Sequence, residues 1–123
     1  MKNAITPEHE TEFAAYIVKW QGLLNLNDWR IQKLDKPAKG AMADVAISEP
    51  DKLAQWRLGK HFGTEAVTPH SLESTAVHEL LHVLLAEYRE IACSKPTDEI
   101  LQGAEHRVIH TLERLLVPSN PAT

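Results

Sequence analysis

TPHSLESTAVHELLHVLLAEYREI, residues 68–91, is the stretch on which the reading of this chain turns. Thr68 followed by Pro69 is a helix start: threonine caps the first free amides, and proline at the first helical position forfeits no hydrogen bond. No glycine or further proline interrupts the run, so the spacing predicts one long helix over 69–91. At its centre stands His78-Glu79-Leu80-Leu81-His82. Residues four apart share a helix face, roughly 5–6 Å apart at Cβ, so two imidazoles can converge on one metal ion. Glu79 lies about 100° round the axis from His78 and about 60° from His82. Its carboxylate then reaches a water on the metal rather than the metal itself, the division of labour of an H-E-x-x-H helix. With seven histidines in 123 residues, roughly 0.04 such matches are expected by chance. Leu80, Leu81, Leu84 and Leu85 surround the motif, so burial there is costly for its polar groups unless an ion compensates them.

The same start opens the chain. Thr6-Pro7 precedes Phe13, Ile17, Trp20 and Leu24 at helical spacing, which predicts a helix over 7–23. Residues 29–32 alternate apolar and polar, as do 41–47 through Ala43, Val45 and Ile47. A third strand is expected over 53–58, with Trp56 and Leu58 on one face. Lys36-Pro37-Ala38-Lys39-Gly40 and Ser48-Glu49-Pro50-Asp51 are the intervening turns. Short connections predict an antiparallel meander. Ser94-Lys95-Pro96 stops the long helix, and Thr97 caps a last one to about residue 116, with Pro118 beyond. The expectation is an α+β fold: an N-terminal helix, a small three-stranded antiparallel sheet, then the motif helix and a C-terminal helix. One domain should cover 1–118, with 119–123 a disordered tail.

A single domain of 123 residues can bury a core without staples. The net charge is -4, which provides no basic field for nucleic acid. The basic residues over 33–39 alternate with Asp35 and Pro37 and read as a solvated flank. Cys93 is the single cysteine, so it is expected to be a free, partly buried thiol in a reducing compartment. The charged first twelve residues lack a signal core, and no run is long enough to cross a bilayer. A cytoplasmic protein with no membrane partner is the expectation. Trp20, Trp29 and Trp56 read as core and sheet-packing residues.

A catalytic zinc ion takes three protein ligands and one water. On the last helix Leu101, Ala104, Val108, Leu112 and Leu115 mark an apolar face, and Glu105 falls within it. His106 falls about 100° further round, and His110 on the opposite side. Glu105 is therefore the favoured third ligand and His106 the alternative, with His9, His61 and His70 behind them. A buried ion pair with Arg57 or Arg107 is the competing role for Glu105. The expected cofactor is one Zn2+ per chain on His78, His82 and Glu105.

The motif followed by a glutamate on a later helix resembles the gluzincin branch of the zincin metallopeptidases. The metzincin branch has a glycine and a third histidine soon after the second ligand, whereas here Val83-Leu84-Leu85-Ala86-Glu87-Tyr88 follows. The plan is similar to minimal single-domain zincins, including small phage and bacterial metallopeptidases, from the strands to Leu116. The resemblance implies a hydrolase in which His78 and His82 bind zinc and Glu79 polarises water. It also implies an upstream edge strand, 41–47 or 53–58, that aligns an extended peptide or protein substrate. The oxyanion-stabilising residue is open: Tyr88 lies six residues past His82 and points away from the metal face by helical geometry, and His61 and His70 are candidates. Ser74, Thr75, Glu73 and Asp98 are candidates to orient the ligand rings. A zinc-binding regulatory module that does not cleave, or a metal-free adaptor with a structural polar cluster, are the competing functions.

Overall fold

Local chemistry at the helix starts sets the frame. In the computed structural model, which describes residues 3–117, the order is α1 (Pro7–Leu23), β1 (Arg30–Lys33), β2 (Ala43–Ser48), β3 (Leu53–Leu58), α2 (Pro69–Leu84), α3 (Ala86–Cys93) and α4 (Asp98–Leu116). The Thr6 hydroxyl accepts from the His9 amide at 3.2 Å while the Thr6 amide donates to His9 Nδ1 at 3.0 Å. Thr68 and Ser71 make the same reciprocal pair, at 3.0 and 2.9 Å. Thr97 accepts from the Ile100 amide. Each cap satisfies amides that the helix itself leaves free. The expected tail over 119–123 and Pro118 lie outside the described residues.

The fold is α+β, but the sheet is mixed rather than an antiparallel meander. Its order is β1-β3-β2. β2 and β3 form an antiparallel hairpin with Val45 opposite Trp56 and Ile47 opposite Ala54. β1 pairs with β3 in parallel, Ile31 against Ala54 and Lys33 against Trp56. β3 takes the centre because it carries the strongest buried alternation, Ala54, Trp56 and Leu58. β1 has charges at both ends and suits an edge. The hairpin closes through residues 49–52, where Lys52 has φ 50 and its amide donates to the Glu49 carbonyl at 3.1 Å. Just past β3, a Cβ on Gly59 would meet the Ala41 carbonyl oxygen at 2.4 Å, so only glycine lets the start of β2 lie this close.

The helices bury one face of the sheet. Phe13 of α1 is fully buried and meets Trp56 with ring centroids 4.9 Å apart. Leu72, Ala76, Leu80 and Val83 line the inner side of α2. Trp29 and Trp56 are in the core as expected, while Trp20 is half-buried. Trp20 Nε1 and Lys19 Nζ both donate to Glu73 Oε2 at 2.7 Å, tying α1 to α2.

The helix expected over 69–91 is broken. α2 ends at Leu84 and α3 begins at Ala86, with Leu85 between them 45% exposed. Neither glycine nor proline marks the break; Ala86 is buried and Leu85 is turned to solvent. No helix among the described residues is long and apolar enough to cross a membrane.

Phe13→Ala should cost about 3–5 kcal/mol, because the ring leaves a cavity against Trp56 that the sheet cannot collapse to fill; denaturant unfolding measures it. The hydrogen bonds from Lys19 and Trp20 hold the Glu73 carboxyl below its ordinary pKa. The folded state then binds fewer protons than the unfolded one. Its contribution is present above the ordinary carboxylate pKa and is lost as pH falls through the lowered folded value. Melting temperatures of wild type and Glu73→Gln should therefore converge on acidification and separate towards neutrality.

Candidate metal centre

The apolar stripe of α2 sets the phase of every other residue on that helix. Leu72, Ala76, Leu80 and Val83, each at most 1% exposed, span a sector of about 80°. Glu79 lies about 20° outside that sector, His82 about 80° and His78 about 120°. Glu79 is therefore buried, at 6% exposure, while both imidazoles stand in the open. One ligand atom from each of His78, Glu79 and His82 lies within 4.8 Å of the others. The imidazole centroids are 5.0 Å apart, edge to face, and His78 Nε2 is 4.0 Å from Glu79 Oε2. This group could hold a metal ion.

Burial pushes the Glu79 carboxyl above its ordinary pKa; His78 and His82 oppose the shift, and Asp44 adds to it. No hydrogen bond among the described residues contributes to that balance. Asp44 sits across the site on β2 and is itself held by Arg57, through hydrogen bonds of 2.7 and 3.0 Å. Sequence reasoning did not single out Asp44; a charge in the middle of an alternating strand was the only signal.

The cluster opens on a groove of about 1070 Å³ between β2, α2 and α3, lined by Val45, Ile47, His78, His82, Leu85 and Arg89 among others. A smaller recess of about 250 Å³ lies on the other side, formed by Met42, Glu65, Ser71, Ser74 and Thr75. Ala43, His78 and Glu79 border both. β2 is the strand beside the metal group, and among the described residues nothing pairs with its outer edge. β3 is central, so it cannot play that part. The Met42 carbonyl accepts from the Gly59 amide at 2.8 Å. Strand amides alternate in direction, so Ala43, Val45 and Ile47 present their N–H and C=O groups outward.

Glu105 does not face the core and does not join the cluster. It is exposed on α4 and outside the metal-binding group. The reason is rotational. α4 packs through Ala104, Val108, Thr111 and Leu115, and Glu105 is turned about 100° from Ala104, into a stripe with Ile109, Leu112 and Leu116 that remains exposed. The competing ion pairs are not made either: Arg57 binds Asp44, and Arg107 binds Glu87. His106 bonds the Gln102 carbonyl and His110 approaches Glu113. His9 serves its cap, and His61 Nδ1 accepts from the Gly63 amide; His70 is exposed. Thr75 donates to the Ser71 carbonyl, and Glu73 is committed to α1. Ser74 lines the small recess, and Asp98 is exposed in the first turn of α4.

Two further residues differ from their expected places. Tyr88, expected to point away, borders the same groove as the histidines and also a separate cavity with Trp29, Val83 and Arg107. Cys93, expected to be partly buried, is exposed at the far end of that groove. Compared with protein-family models, curated proteins and solved structures, the chain matches none of them.

Proposed function

We propose that this chain is a zinc-dependent hydrolase of zincin-like design that cleaves peptide bonds, with one zinc ion held by His78 and His82 and with Glu79 as general base. The observation that carries this reading is a buried carboxylate and two exposed imidazoles with ligand atoms within 4.8 Å, opening on a groove beside an unpaired strand edge. Imidazole nitrogen and carboxylate oxygen are donors that zinc accepts. Bound there, zinc supplies Lewis acidity, polarising a carbonyl and making water a stronger nucleophile. Glu79 takes a proton from the attacking water and passes it to the leaving amine. Burial raises its pKa, which eases that protonated interval. The outward amides of Ala43, Val45 and Ile47 hold an extended peptide against the site as an added strand.

Among the described residues no further protein ligand stands with His78, Glu79 and His82, and no residue of α4 lines the groove or the recess.

Purified protein should carry stoichiometric zinc, and zinc at 100 times its Kd should stabilise the fold by about 2.7 kcal/mol. Glu79→Gln should retain zinc and lose hydrolysis by about 100- to 10,000-fold, whereas His78→Ala and His82→Ala should lose the metal. Metal analysis, calorimetry and a peptide-cleavage assay check these outcomes. A protein with no zinc and no zinc-dependent rise in Tm, or full activity in Glu79→Gln, overturns the reading.

A further inference from the structure

The two cavities that meet at Glu79 differ in chemistry, and we infer that they select a peptide with unlike side chains on its two sides: large and apolar on one, small and polar or basic on the other. The inference rests on the peptidase reading above and specifies its substrate class.

The large groove is apolar over part of its wall, with Asp44, Glu49, Arg89 and Glu90 as the charged residues on the rest. Ile47 and Leu85 are 36% and 45% exposed, and both line it, with Val45 and Ala86 between them. Leaving large aliphatic side chains in water at the wall of a groove has a purpose if an apolar side chain covers them. Ile47 lies four residues beyond Ala43, about 13 Å along an extended strand, so this surface spans several substrate residues.

The recess on the opposite side has about a quarter of that volume and a different lining. Ser74 contributes a hydroxyl, that of Thr75 is bonded to the Ser71 carbonyl, Ser71 is buried, and Glu65 is an exposed carboxylate on the lining. Glu65 forms no ion pair among the described residues. A carboxylate there favours a lysine or arginine side chain, and the restricted space favours a short hydroxylic one. Ala43, His78 and Glu79 form the seam between the two cavities, so the scissile bond falls where the lining changes character.

The test is cut-site mapping by mass spectrometry, using the zinc-loaded full chain and a peptide library randomised on both sides. Large aliphatic or aromatic residues should be enriched on one side of the cut, and basic or small hydroxylic residues on the other. Leu85→Lys should lower kcat/KM for the apolar-selected peptides by about tenfold or more while zinc content is kept. Glu65→Lys should shift the opposite side from basic towards acidic residues. Cleavage with no preference on either side, or preferences unchanged in both variants, overturns this inference and leaves the peptidase reading standing. No cleavage of any peptide by zinc-loaded protein overturns both.

Discussion

Everything near the candidate centre depends on how α2 is seated. Leu72, Ala76, Leu80 and Val83 recur at spacings of four, four and three, and together they bury one side of the helix in the core shared with α1 and the sheet. That burial fixes the rotation of α2 about its axis, and with it the direction of every polar side chain the helix carries. Glu79 is caught at the border, close enough to the apolar sector to lose its water and too far round to be covered by a partner. His78 and His82 are carried clear of it. The same apolar packing that stabilises the helix therefore produces one desolvated carboxylate beside two accessible imidazoles. Neither feature needs a separate device.

The sheet adds the second half of the site. Because β3 takes the centre, β2 is left with one edge bonded and the other open, and the pairing register sends the outward amides of Ala43, Val45 and Ile47 along the groove. Gly59 makes this placement sterically feasible, since any side chain there would push against the Ala41 carbonyl. Asp44 and Arg57 lock the hairpin across the same stretch. A helix fixed by its apolar stripe and a strand fixed by its hairpin thus converge on one line of residues.

Much of this was legible in the order of the residues, for identifiable reasons. Helix starts were plain because Thr6-Pro7, Thr68-Pro69 and Thr97 are local chemical events that need no tertiary context. β3 was plain because the alternation of Ala54, Trp56 and Leu58 reports burial directly. The trio of His78, Glu79 and His82, which could hold a metal ion, was plain because its geometry is internal to one helix. The sheet order was not, because alternation identifies a strand without naming its neighbour; a meander and a β1-β3-β2 order demand the same pattern. The break at Leu85 carries no glycine or proline, so it was invisible. Glu105 failed for a third reason. Two apolar sectors overlap on α4, one through Ala104 and Thr111 and one through Leu112 and Leu116, and a helical wheel cannot say which of them packs.

The open edge of β2 has a cost in a crowded solution. An edge that could take up a peptide is open to any extended chain, including the hairpin of another copy or a segment not yet folded. Charge within the strand at Asp44 and a proline at position 50 just past its end limit how long a pairing can grow. Receptivity and self-association are thus set by the same few backbone groups. A variant selected for a stickier groove will have to be watched for clumping, and one selected for solubility for a loss of grip.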